Sequence, residues 1–143
     1  MRGQRVLGGA AAGAAAAAVW AAQEPLDMRV FGVPYSDPEL LAKPIGGSRR
    51  AGIPIHLANG AVFGAVYAKL APHLAAPGIV KGAAAGLAEH LATWPLTRFF
   101  PGVRLWGNHR AFVQGIWRHL LFGAVLGALE ERLARGYADG APA

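Results

Sequence analysis

Three long stretches of the chain are almost free of charge, and this decides which solvent the chain can fold in. Val6–Ala22 runs 17 residues and Ala51–Ala68 runs 18 without a charged side chain, while Ala111–Leu129 runs 19 with Arg118 alone. A helix crossing a hydrocarbon layer needs roughly 17–25 predominantly apolar residues, so each stretch is predicted to span a membrane. A fourth, Pro77–Leu96, carries Lys81 near one end, where a long side chain snorkels, and Glu89 inside. Composition agrees, with 54% hydrophobic and 15% charged residues, against roughly 45–50% and about 25% in an ordinary soluble domain.

Internal repetition brings the fourth stretch in. Displaced by 63 positions, Gly52–Leu70 matches Gly115–Leu133 at 10 of 19 residues. Gly9-Ala-Ala-Ala-Gly13 likewise matches Gly82-Ala-Ala-Ala-Gly86, and Pro25-Leu26 matches Pro95-Leu96 after a three-residue indel. The expectation is one all-α membrane domain over residues 1–143. It is a four-helix bundle made of two helical hairpins, about 1–70 and 77–133, related by an axis along the membrane normal. Arg2, Arg5, an Ala-rich core and Val19-Trp20-Ala21 also fit a signal peptide with its cleavage site. The internal match to the third span favours a retained helix.

The loops separate into two kinds. Gln23–Arg50 is rich in proline and charge, and Ser36-Asp37-Pro38-Glu39 places a cap, an early proline and an early acid ahead of Leu40-Leu41. A short interfacial helix over Pro38–Lys43 is expected, stopped by Pro44 and Gly46-Gly47. Thr97–Arg110 mixes Phe99, Phe100 and Trp106 with Arg98, Arg104 and Arg110, as interfacial segments do. Both long loops are expected on one side. Basic residues give no orientation bias; the basic start and basic middle loop lean toward cytoplasmic termini.

Each span holds a Gly-x-x-x-Gly pair: Gly9/Gly13, Gly60/Gly64, Gly82/Gly86 and Gly123/Gly127. One pair in a glycine-rich chain means little, but one per span marks faces where backbones approach closely. The polar residues fall on the same faces. His56 lies four before Gly60, His119 four before Gly123, and Glu89 and His90 lie three and four after Gly86. By helical rise the three imidazoles sit about 6–8 Å from the long-loop end, and Arg118 and, at the edge, Glu24 fall in the same leaflet. The terminal half has nothing comparable within its spans. Glu89 is expected to pair with Arg118 or a histidine, or to be protonated, because an unpaired charge there is costly. Arg118 could equally snorkel to headgroups, and the histidines could be plain interhelical hydrogen-bonding groups.

A first span ending near Glu24-Pro25-Leu26 is followed by a His56-x-x-x-Gly60 helix running into Tyr67. The third span carries His90-x-x-x-x-Pro95-Leu96, and the last carries Gly115-x-x-x-His119 and runs into Glu130-Glu131-Arg132-Leu133. This pattern resembles the YagU-like family of small bacterial inner-membrane proteins. The resemblance implies four spans in the bacterial inner membrane, with His56, His90 and His119 at family-typical positions; Glu89 is outside the family's pattern. It implies no reaction.

The net charge of +6 comes from basic residues scattered between apolar runs, which suits anionic lipid headgroups rather than nucleic acid. The absence of cysteine excludes disulfides and thiolate-ligated metals. There is no phosphate-binding glycine loop, nucleophile elbow or His-Glu-x-x-His, so no enzyme is expected. Three functions remain. The first is a structural or accessory membrane component packed through its small-residue faces, with a second copy of itself in a homo-oligomer, or a membrane-complex protein, as the partner such faces would accept. The second is a proton or small-solute pathway through the polar chamber of His56, Glu89, His90, Arg118 and His119. The third is haem held by His56 and His119; no cofactor is otherwise expected.

Overall fold

The computed structural model describes residues 2–100 and 104–139; of the expected Thr97–Arg110 interfacial segment, residues 101–103 lie outside the described residues. Five α-helices account for most of the chain: α1 (Arg2–Phe31), α2 (Asp37–Ala42), α3 (Arg49–Leu70), α4 (Gly78–Thr93) and α5 (His109–Asp139). No strand occurs among the described residues. Short 3₁₀ turns follow α2, α3 and α4. Three helical stretches are long and apolar enough to cross a membrane: Gly3–Phe31, Arg49–His73 and His109–Tyr137. α4 has 16 residues, about 24 Å of rise. It gives way to a 3₁₀ turn over Trp94–Phe99, where Pro95 has no N–H to continue the α ladder.

α1 is longer than the uncharged run predicts. It continues through Pro25 to Phe31, so Gln23–Phe31, read from the sequence as loop, is helical. A proline inside a helix leaves the carbonyl four residues back without its donor. Here that carbonyl, of Ala21, accepts from Arg49 Nη2 at 2.7 Å. The helix ends at Gly32, whose φ of +69° is the left-handed cap conformation that glycine adopts without a Cβ penalty. α2 forms as expected: Ser36 caps it, with its side chain accepting from Glu39 N, and Pro38 stands in the first turn. Rather than lying free at the surface, α2 packs on α3, burying Pro38, Leu40 and Ala42.

α1 packs antiparallel to both α3 and α5, and α4 packs antiparallel to α5, as the residue pairs at each crossing require. α3 and α4 have no comparable close approach; the Tyr67 hydroxyl donates to the Gly78 carbonyl at 3.4 Å where they meet. The α1–α3 and α4–α5 contacts are backbone on backbone. A Cβ on Gly9 or Gly13 would overlap the carbonyls of Gly64 or Gly60, and a Cβ on Gly78, Gly82 or Gly86 would overlap those of Gly127, Gly123 or His119. This register differs from the sequence match by one turn. With α3 placed on α5 at the 63-residue offset, Gly9/Gly13 correspond to Gly78/Gly82, not to Gly82/Gly86, and Ala17 stands where Gly86 does. An Ala-rich run aligns with itself at several offsets, whereas interdigitating carbonyls admit one.

The two long connections meet at one end of the assembly. Val33, Tyr35 and Leu40 from the first pack with Leu105 and Ala111 at the second, with Trp94 against them. The remaining core runs between the helices from Trp20 through Phe122 and Leu126 to Tyr67, Ala12 and Ala71.

Candidate functional site

Two polar groups occupy the loop end, joined through Trp20. The first is an ionic cluster around Arg118, which is fully buried. Its Nε and Nη2 donate to Asp27 Oδ2 and Oδ1 at 2.7 and 2.6 Å, a two-pronged pair. Nη1 meets Asp37, Nη2 also donates to the Tyr35 carbonyl, and the guanidinium lies 4.3 Å from the centre of the Tyr35 ring. Glu24, 3.7 Å from Nη1, accepts from Ser36 Oγ at 2.8 Å and from Asp37 N at 2.9 Å, and Arg49 Nε reaches its other side. Gln114, one turn before Arg118, donates to Asp27 Oδ1 at 2.6 Å. The cluster thus ties α1, α2, α3 and α5 together. Burial first, and then the Asp37 carboxylate, push the Tyr35 phenol far above its ordinary range, so it stays protonated.

Arg118 therefore neither snorkels nor pairs with Glu89. The sequence reading missed Asp27, Asp37, Gln114 and Tyr35, although a signal existed. Trp20, Glu24 and Asp27 stand at i, i+4 and i+7, one face of a helix, and become visible as such once α1 is carried through Pro25.

The second group lines a chamber of about 370 Å³ between α3, α4 and α5, roofed by the two long connections. His56, Glu89, His90 and His119 all border it, so four of the five residues expected in the chamber are there, and Arg118 stands apart behind Trp20 and Asp37. Glu89 Oε2 lies 2.7 Å from His119 Nε2, the histidine partner among the expected alternatives. His119 Nδ1 lies 2.7 Å from the Gly115 carbonyl. A carbonyl only accepts, so Nδ1 carries a proton and donates.

His90 occupies the notch left by Gly115, where a Cβ would overlap its ring, and its ring lies tilted against those of His119 and Phe112, centre to centre 4.7 and 5.1 Å. Trp20 stands edge-on to both His56 and His119, at 5.3 and 4.6 Å, while its Nε1 donates to Asp37. The Nε2 atoms of His56 and His90 are buried with no hydrogen-bond partner in the chain. Leaving such a group unsatisfied costs about 1–3 kcal/mol. Bis-histidine ligation of haem iron by His56 and His119 does not fit this arrangement, because both His119 nitrogens are engaged and the Trp20 indole contacts both rings. Among the described residues no three His, Asp or Glu side chains converge as a metal-ligand set.

The terminal end has an ion pair just outside the uncharged runs. Glu130, one residue beyond the uncharged run, is buried and accepts from Arg5 Nε at 2.8 Å. Comparison with protein-family models, curated proteins and solved structures gives no match for this chain.

Proposed function

We propose that the chain is a non-enzymatic, four-span protein of the bacterial inner membrane, built as two repeated hairpins on the YagU-like plan. In this reading α4 and its 3₁₀ extension make the fourth span, since six further residues at about 2 Å rise bring it past the ~30 Å of hydrocarbon. Its role is that of an accessory component with a blind chamber in one leaflet, its termini cytoplasmic and its basic loops against anionic headgroups. Glycine faces joining the helices inside the chain account for their spacing without a second copy.

The observation that carries the reading is that the chamber stops halfway. Below His56 and His119 the space is taken by Phe63, Phe122, Leu126 and Tyr67 and by glycine-to-carbonyl contacts, and among the described residues no chain of hydrogen-bonded polar groups leads from the chamber to the Arg5–Glu130 pair. A conducting path needs hydrated or hydrogen-bonding groups through both leaflets. Purified protein in liposomes loaded with a pH dye tests this: acidification under an imposed gradient is expected at the protein-free rate, and unchanged in Glu89→Gln. Proton entry that the native protein accelerates and Glu89→Gln abolishes would replace this reading with a pathway. Release of the chain from membranes by alkaline carbonate would refute the spanning arrangement itself.

A further inference from the structure

We propose that the chamber binds the ring of a lipid-soluble quinone or quinol, its isoprenoid tail leaving between α3 and α4 into the hydrocarbon. This rests on the membrane-spanning reading above and gives its chamber an occupant.

The chemistry of the walls selects the ligand class. His56 on α3 and His90 on α4 both line the chamber, and each has a buried Nε2 with no hydrogen-bond partner in the chain, so two of its walls carry an imidazole with unused hydrogen-bonding capacity that a turn of the ring brings to a bound ligand. A quinoid ring carries oxygens on opposite edges. Imidazole nitrogen donates or accepts according to tautomer, and so serves either the carbonyl of the oxidised ring or the hydroxyl of the reduced one. The aromatic side chains of Trp20, Phe63, Trp94 and Phe122 line the same chamber, flat apolar surfaces suited to a planar ring. The chamber's volume falls in the range of small-molecule sites.

Charge excludes the competing amphiphiles. Among the described residues no Lys or Arg borders the chamber, so a phosphate headgroup finds no counter-charge there. The two carboxylates at its walls are committed, Glu89 to His119 and Asp37 to Arg118 and Trp20; an organic cation would have to break those pairs. A neutral head meets neither cost. The exit follows from packing, because the close approach of α1 on α3 and of α4 on α5 has no counterpart between α3 and α4; these two meet through the Tyr67 hydroxyl and the Gly78 carbonyl at the terminal end, and at the loop end the bordering Asn59 and Leu96 are exposed. Binding alone is proposed, with no electron transfer.

The test is calorimetric titration of the full-length protein in lipid nanodiscs with a short-tailed benzoquinone, beside tetraphenylphosphonium and a short-chain phosphatidylglycerol. Saturable binding of the quinone alone is expected, weakened about tenfold or more in His56→Leu and in His90→Leu. Should either variant fail to fold by circular dichroism, nitrogen-15 spectra of the native imidazoles decide: the Nε2 resonances of His56 and His90 shift on quinone addition while that of His73, outside the chamber, does not. Absence of quinone binding, affinity unchanged in folded His variants, unshifted Nε2 resonances, or preference for the cation or the phospholipid would each overturn the proposal. A chain that resists carbonate and conducts no protons yet binds no quinone would leave the membrane reading standing and remove this one.

Discussion

The side chain that most depends on its surroundings is Arg118. Its guanidinium is fully buried and meets Asp27, Asp37, Glu24 and the Tyr35 carbonyl together. Removing one partner from such a cluster leaves the others buried and uncompensated, at about 3–5 kcal/mol. Arg118→Leu is therefore expected to lower the melting temperature in detergent far more than Glu89→Gln. Glu89 is a third exposed and contributes one charge-assisted hydrogen bond to His119, roughly 1.5–3 kcal/mol. Arg118→Lys should fall near Arg118→Leu, since a single ammonium cannot satisfy Asp27 by two prongs while reaching Asp37 and Tyr35. Equal melting for Arg118→Leu and Glu89→Gln would contradict this assignment. From the sequence, Arg118 could equally pair inside the bundle or snorkel to headgroups. Its partners were not legible, because Asp27 is 91 residues away in the chain and lay in a segment whose proline reads as loop.

At the scale of the helices, packing rests on backbone approach rather than on interlocking large side chains. A Cβ at Gly13 would overlap the Gly60 carbonyl and crowd Gly64, neither of which can swing aside. Gly13→Ala is expected to force α1 and α3 apart at a cost of about 1–3 kcal/mol. Gly136→Ala in α5 meets nothing within 4 Å and should stabilise by about 0.4–1 kcal/mol through helix propensity and the stiffer unfolded chain. Opposite signs in a denaturation series of the two variants check the point; a neutral Gly13→Ala would refute the close approach. The glycine spacing was readable, since small residues at i and i+4 share a helix face. The partner register was not, because a stripe of Gly and Ala can slide by a turn with little change in composition. Only the carbonyls of the facing helix select one position, and they move the α1–α4 correspondence by one turn.

For the whole molecule, the contact of Val33, Tyr35 and Leu40 with Leu105 and Trp94 places both long connections at one end. In membrane vesicles, single cysteines at Ser48 and Arg104, both exposed, are expected to react with an impermeant maleimide from the same side. Arg104 is preferable to Asn108, whose side chain accepts from Ala111 N at the start of α5. Labelling from opposite sides would refute the shared end. By itself, the sequence determined the helical class, the long apolar helices and the depth shared by His56, His90 and His119, because the length of a charge-free run and the 3.6-residue period are local properties. It also determined the glycine faces on which those polar groups lie. Tertiary structure alone decided that Arg118 turns away from the chamber to Asp27, and that Glu89 faces His119. It alone decided that Arg49 takes the carbonyl Pro25 vacates, that Glu130 of α5 is buried against Arg5 of α1, and that α3 and α4 lack the close approach seen in α1–α3 and α4–α5, leaving a cavity at the loop end. Each of these depends on which helix stands beside which and at what turn, and a face of small residues allows several such arrangements until hydrogen bonds and ion pairs between distant segments favour one.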